Sequence, residues 1–499
     1  MDQQISVAEY FAGKSVFITG GTGFMGRVLV EKLLRSCPDL KTLYLLMRSK
    51  KGLNIEERLQ SYVNNEVFDV IQAQCPKNLH KLRLVSGDVM TDELGISIMD
   101  QEELQREVQI IFHCAASVRF DLFIRDAVGI NVCGTLKILK FAETMNNLEV
   151  FLHMSTAYCH DDLDIQEEKL YPAKHRYQDI MDIMRWMDDD MLKRLEPKLI
   201  HPLPNTYAFT KALSEDMVVD FAGKFPIAIA RPSIVVSALK EPIPGYINNL
   251  NGPTGLLVAG AKGVFRIMHT YENIRPDLLP VDICINASII LAATTGLERP
   301  KDVRVCNITN SGIHSMSWVD TTEMFQEQIV KYPFSQCLWY PSIKHHESRL
   351  LYQLHALLVH WLPALFIDFL LILFRKKPFM IKVQIRLHHG LNLLAHYMTG
   401  QWIFRNDYFL ALRNCIKKEE RDIFFTEYEK IDINEFLSNY VQGARLYCCK
   451  DPPSTLPRAR RVLKLLFFIQ LTFKLFFVWW FLSILYYVVM KIFFSYKGD

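Results

Sequence analysis

Tyr207 and Lys211 stand four residues apart in Tyr207-Ala208-Phe209-Thr210-Lys211, and a pair of hydroxyls, Ser155-Thr156, precedes them in the chain. Residues i and i+4 share a helix face, so this spacing predicts a phenol and an ammonium projecting together. A phenol has an unperturbed pKa of about 10, and a neighbouring cation favours its ionised form, which eases proton transfer at neutral pH. A hydroxyl placed just after a buried strand can stabilise the oxyanion that develops on a carbonyl substrate. Thr156 is the first choice for that role and Ser155 the second. YxxxK also recurs by chance on surface helices, so its meaning depends on what surrounds it.

What surrounds it is a set of residues suited to a dinucleotide. Thr19-Gly20-Gly21-Thr22-Gly23-Phe24-Met25-Gly26 follows an apolar run and contains GxxGxxG. Glycine at such a turn lets a pyrophosphate reach the backbone N–H groups at a helix N-terminus, where the helix dipole also favours negative charge. The second apolar run ends at Arg48, where an NADH-preferring enzyme usually carries a carboxylate. A guanidinium there can pair with a 2′-phosphate, and Lys50 and Lys51 add to the basic field, so NADPH is the expected cofactor. Asp88, with Val89, follows the third run and can accept from an adenine amine. Ala115 and Ala116 follow the fourth, small enough for the backbone to lie against the cofactor. Pro232 closes the sixth run, and Lys211 can hydrogen-bond the nicotinamide ribose alongside Tyr207.

The elements that must position these residues are legible as apolar runs. Ser15–Thr19, Thr42–Met47, 82–85, Val108–His113, 149–154 and 226–230 alternate with helical, polar-faced segments. That alternation predicts an α/β fold, a Rossmann-type doubly wound parallel sheet covered on both faces. Residues 1–345 would form this domain with its substrate lobe, the latter rich in Pro and Gly over 242–255. Residues 346–455 read as a helical C-terminal domain, with long patterns at 351–374 and 387–404 that could wall an acyl tunnel or form ordinary core. Asp451-Pro452-Pro453 breaks it from residues 456–499, a basic flank and membrane anchor.

The 499 residues are 50% hydrophobic and 12% aromatic, which excludes a disordered chain, and a net charge of +3 gives no field for nucleic acid. The 11 cysteines include no CxxC pair, and the N-terminal residues are polar, so a reducing, cytosolic setting is expected and no metal site. Residues 475–490 carry no charge and lie between Lys474 and Lys491. This uncharged stretch falls short of the ~20 residues that span a hydrocarbon layer, a deficit that lysine snorkelling can cover. Arg458, Arg460, Arg461 and Lys464 just before the greasy run favour a tail anchor with the enzyme on the cytosolic side.

With glycine turn, hydroxyl pair and YxxxK in this order, the chain resembles the extended short-chain dehydrogenase/reductase superfamily. It departs in a long insert before Tyr207, whose acidic run Trp186-Met187-Asp188-Asp189-Asp190 reads as a solvated helix face rather than a metal site. A narrower resemblance, to the alcohol-forming fatty acyl-CoA reductases, rests on the 19–26 segment, Phe112-His113-Cys114-Ala115-Ala116-Ser117-Val118-Arg119-Phe120 and His153-Met154-Ser155-Thr156-Ala157-Tyr158. It continues through Pro204-Asn205-Thr206-Tyr207, Arg231-Pro232-Ser233-Ile234-Val235, Asn251-Gly252-Pro253-Thr254-Gly255 and Pro280-Val281-Asp282, then through the helical domain and tail. The resemblance implies reduction of a long-chain acyl-CoA by two hydrides from NADPH, through an aldehyde level to a primary alcohol, with CoA released. It also implies a peroxisomal or endoplasmic reticulum membrane, and leaves Cys114 and Cys159 as packing residues. The competing readings are a membrane-bound hydroxysteroid or sterol dehydrogenase, and a non-catalytic nucleotide-binding membrane protein.

Overall fold

The computed structural model describes residues 4–48, 54–313, 316–428 and 431–496, the side chains of 492–496 excepted; Lys50 and Lys51 lie outside the described residues. Seven strands form one sheet: β1 Ser15–Thr19, β2 Thr42–Met47, β3 Leu82–Ser86, β4 Val108–His113, β5 Val150–Met154, β6 Ile227–Pro232 and β7 Arg304–Ile308. Their order is β7-β6-β5-β4-β1-β2-β3 and every pairing is parallel. Strands β1, β5 and β6 are buried at every position, as near-continuous Val, Ile, Leu and Phe runs should be when helices cover both faces. Because all strands run one way, their carboxyl ends share one edge of the sheet.

The structure lengthens the sixth apolar run by taking in Arg231 and Pro232, and adds β7, which sequence patterning does not disclose. Its Asn307 interrupts the apolar run yet is fully buried; the amide donates to the carbonyls of Gln166 (3.2 Å) and Arg405 (2.8 Å), which offsets the cost of burying it.

Two helices matter most for the site, α1 Phe24–Ser36 and α2 Thr206–Val219. A third, α3 Val281–Glu298, is long and apolar enough to cross a membrane but is 89% buried, so it is core. In the insert before Tyr207, Asp188 accepts from the N–H groups of Asp190 and Met191 (2.9 Å each), so the acidic run starts a helix, Asp189–Ile200. The loop-rich stretch is tight at Gly245, where φ is +77° and a Cβ would come within 2.0 Å of the Asn439 carbonyl oxygen.

The chain divides into two compact units. The first gathers 1–249, 273–318 and 392–440 and contains the sheet; the second gathers 250–272, 319–391 and 441–499. The stretch expected as one helical domain, 346–455, therefore contributes to both. In the second unit, α4 Arg349–Leu373 is apolar enough to cross a membrane, yet only 22% of it is buried. Ordinary core, one of the two expectations for 351–374, is thus overturned. It leads through a turn into α5 Met380–Thr399. The last helix, α6 Leu456–Tyr496, runs unbroken through Lys474, and the apolar span it carries, Pro453–Lys491, is only 6% buried. Continuity through Lys474 supplies the length that 475–490 lacks.

Candidate active site

The glycine turn leaves a cradle of bare backbone at the head of α1. Gly20 adopts φ +73°, and a Cβ there would lie 2.5 Å from the Ala115 nitrogen; at Gly26 it would lie 2.4 Å from the Gly20 carbonyl oxygen. Side chains are thus excluded from both sides of the turn. Gly23 caps α1 without a side-chain hydrogen bond, while Tyr62 braces the turn from outside by donating to the Gly21 carbonyl at 2.8 Å. Arg27, which the sequence reading passed over, has its Nε buried without a hydrogen-bond partner, and its guanidinium lies 5.9 Å from the Tyr62 ring centroid. An uncapped helix N-terminus with a guanidinium one turn in, its Nε still without a partner, fits a dinucleotide's phosphates.

The other expected cofactor residues follow strand ends along the same edge. Arg48 is exposed directly after β2, and Asp88 is half-buried after β3, one carboxylate oxygen accepting from Met90 N–H at 3.0 Å. Val89 is buried against Gly134, Ala115 and Ala116 are half-buried after β4, and Pro232 is the last residue of β6. The Thr19 hydroxyl is already engaged, 2.7 Å from His113 Nδ1 and accepting from Ala115 N–H at 3.3 Å, so in this structure it ties β1 to the end of β4.

The proton-handling residues meet at the end of β5. The Tyr207 phenol lies close enough to the Thr156 side chain for that hydroxyl to favour its ionised form. Lys211 Nζ donates to the Met154 carbonyl at 2.6 Å, fastening α2 to the last residue of β5. Ser155 points elsewhere: its Oγ lies 4.0 Å from Cys159 Sγ, and its N–H donates to the Ala230 carbonyl at 2.7 Å. Thr156 is therefore the hydroxyl beside the phenol.

Burial governs the charges here. It drives the Tyr207 phenol up, against the opposing effect of the Thr156 hydrogen bond, so the resting form is the protonated acid. Lys211 is pushed down to about 8 by the same cause. The expectation that the lysine holds the phenol's pKa down thus meets a larger desolvation of both groups. His113 is held neutral by burial and the nearby Lys211 charge, its pKa down to about 3, and its ring bridges Thr19 and Thr135 at 2.7 and 2.9 Å. Burial also pushes Cys114 up to about 12, which keeps it a thiol and unsuited to nucleophilic work.

Several positioning residues were given no role from the sequence, although Asn205 and Phe120 lie in segments that carry the resemblance. Asn131, in a π-helical turn at Gly129–Cys133, accepts from Ser117 N–H (2.8 Å) and donates to the Ser117 carbonyl (3.1 Å) and the Thr210 hydroxyl (2.9 Å). It links the loop after β4 to the residue before Lys211. Asn205 caps α2 by accepting from Ala208 N–H, and donates to Tyr397 Oη at 2.8 Å. Phe120 stacks on Tyr207 at 5.9 Å between ring centroids and meets Tyr397 at 5.3 Å, so an aromatic wall flanks the phenol.

One turn beyond Lys211, Glu215 forms a fully buried, two-oxygen pair with Arg231 of β6, at 2.9 Å from Nε and 2.5 Å from Nη2. Among the described residues, Cys159, His160 and Glu215 offer donor atoms within 4.8 Å of one another, a spacing a metal ion could use. Arg231 occupies both carboxylate oxygens, however, and its charge opposes a cation there.

A parallel sheet that brings a glycine cradle and the residues Thr156, Tyr207 and Lys211 to one edge fits one class, a Rossmann-type nicotinamide-dependent oxidoreductase. Residues 18–288 match an NAD-binding family and residues 359–451 a second, Sterile, family, both described as "Male sterility protein". Fatty acyl-CoA reductase 1 of Rattus norvegicus is 36% identical, and that of Xenopus laevis 37%, each over 92% of this chain and 89% of the relative. A putative fatty acyl-CoA reductase of Drosophila melanogaster is 35% identical over 94% and 92%. The chain belongs to the fatty acyl-CoA reductase family. The fold is shared with the terminal R domain of the myxalamid PKS-NRPS pathway (TM-score 0.58, 18% identity, 87% of this chain and 90% of that one). It is also shared with a nonribosomal peptide synthetase reductase domain of Mycobacterium tuberculosis (TM-score 0.56, 18% identity, 88% and 94%).

Proposed function

We propose that the protein reduces long-chain fatty acyl-CoA to the primary fatty alcohol at the expense of two NADPH and two protons, releasing CoA and two NADP⁺. The observation that carries this reading is the convergence of Thr156, Tyr207 and Lys211 at the end of β5, where Lys211 holds the Met154 carbonyl, on the sheet edge that holds the glycine cradle. Its relatives' names supply the substrate class.

NADPH, when bound, supplies the hydride. Gly20 to Gly26 and Arg27 would hold the pyrophosphate, Arg48 the 2′-phosphate, and Lys211 with Tyr207 the nicotinamide ribose. In the first reduction Thr156 and Tyr207 donate hydrogen bonds to the thioester oxygen as it gains charge. Collapse of the hemithioacetal breaks the carbon–sulfur bond, and the thiolate leaves as CoA after taking a proton. In the second, Tyr207 gives its proton to the alkoxide and recovers one from solvent, with Lys211 beside it to offset the charge. No cysteine is required. The exposed apolar helix α6 suits a product that partitions into lipid, and Arg458, Arg460, Arg461 and Lys464 favour a cytosol-facing catalytic unit on a peroxisomal or endoplasmic reticulum membrane.

The test is to incubate membranes containing the protein with a panel of acyl-CoAs and either NADPH or NADH, then identify the lipid products by mass. Alcohol formed preferentially with NADPH supports the reading. Oxidation of a sterol when NADP⁺ is supplied in a parallel assay, with neither alcohol nor aldehyde formed from any acyl-CoA, overturns it.

A further inference from the structure

Helix α4 is built inside out. Its buried positions are Ala356, His360, Ala364 and Asp368, a stripe with a spacing of four, and all are small or polar. The large apolar side chains face outward: Leu354, Leu358, Leu362, Leu365, Phe366 and Phe369 are all exposed, Phe366 to 62%. A helix on an aqueous surface does the reverse, and contiguous apolar patches of this extent mark a contact with something other than water. From Leu350 to Phe374 the only carboxylate, Asp368, is turned inward and accepts from the N–H groups of Phe379, Met380 and Ile381 at 2.9 Å each. It caps α5 and leaves no anion on the outer face.

Three further observations select a lipid surface as the occupant. Within the second unit, α4 is tied to the base of the apolar tail. Phe473 of α6 packs on Trp339 at 5.9 Å, Arg266 lies 5.3 Å from the Trp339 ring, and Arg266 donates its N–H to His360 Nε2 at 3.1 Å. The turn after α4 carries exposed Arg375, Lys376 and Lys377, and α5 adds exposed Lys382 and Arg386, a basic cluster suited to anionic headgroups. The chain also belongs to the first unit before 319 and again from 392, so α4 could cross a bilayer only if α5 crossed back, and Lys382, Arg386, His388 and His389 make α5 unfit for that.

We infer that α4 is a second, monotopic membrane element, which lies in the plane of one leaflet with its leucine and phenylalanine face among the acyl chains and residues 375–377 at the headgroups. This adds to the anchoring by α6 and does not depend on the chemistry proposed above. An in-plane helix of this kind binds through buried apolar area plus attraction to anionic lipid.

The test uses the full-length protein in phosphatidylcholine–phosphatidylserine vesicles doped with a diazirine-acyl phosphatidylcholine. After irradiation, lipid adducts are mapped on peptides by mass spectrometry. Adducts on 349–374 as well as on α6 are expected. Those on 349–374 should fall severalfold when phosphatidylserine is omitted, or in an Arg375→Gln, Lys376→Gln, Lys377→Gln variant, while α6 labelling holds. The exposed turn makes that variant safe for folding, and the wild-type map stands without it. Adducts confined to α6 would overturn the inference, as would cross-links between two copies from a photoreactive residue placed at Leu358 in place of lipid adducts.

Discussion

Desolvation raises the Tyr207 phenol, so it keeps its proton at neutral pH, and Thr156 is the neighbouring hydroxyl that opposes the rise. As the acid of the second reduction, Tyr207→Phe should cut alcohol formation by roughly 10² to 10⁴ while NADPH binding, followed by fluorescence, is retained. Thr156→Ala should cost about 10² to 10³ in kcat, whereas Ser155→Ala, whose hydroxyl faces Cys159, should cost far less; steady-state kinetics on the two variants separate the roles. Lys211 adds a pH signature. Its burial brings the ammonium's pKa down to about 8, so the positive charge that would stabilise the phenolate left by proton transfer is full below that pH and lost above it. Turnover should therefore decline as pH rises through about 8, and the fall should be absent in Lys211→Arg.

At the level of elements, α2 is held to its neighbours by polar clamps rather than by an amphipathic seam. Lys211 grips β5, Glu215 pairs with Arg231 of β6, and Asn131 reaches Thr210. Removing one partner of a buried pair leaves the other unpaired, so Glu215→Gln should lower unfolding stability by roughly 3–5 kcal/mol, read from denaturation midpoints. The Arg231 charge holds Glu215 well below the usual carboxylate range against its own burial, so the stabilisation is whole above the unfolded pKa of about 4.3 and lost as pH falls below it. The same clamps explain what the sequence could and could not reveal. Strands β1, β2 and β4 read cleanly because they are buried at all or all but one position and each carries at least three consecutive apolar residues, and Tyr207 with Lys211 showed through helical spacing. Strand β7 did not, because Asn307 lies inside it, and neither did Asn131, Arg27 or Tyr397, since their partners come from distant segments that only tertiary structure joins. For α4 the composition was plain in the sequence, but which side faces outward depends on packing, and the expected core helix is exposed.

On the scale of the whole chain, α6 leaves nearly all of its span uncovered by protein, so the full-length protein should resist alkaline carbonate extraction from membranes. A form shortened to residue 455 should lose this resistance and keep only the salt-sensitive, anionic-lipid-dependent association of α4, as sedimentation would show. The two units are also interleaved along the chain. Ile403–Phe404 pairs with Ile165–Gln166, and the Glu168 carboxylate receives the N–H groups of Tyr408 and Phe409, all inside the unit that bears the sheet. Synthesis order is thereby built into the architecture. The ribosome delivers most of the second unit before the residues that finish the first, so the reductase cannot mature behind the ribosome as an early, independent folding event. Fragments ending short of residue 409 would leave those partners unmet, and the sheet, whose last strand ends at Ile308, would have to wait about a hundred residues for them.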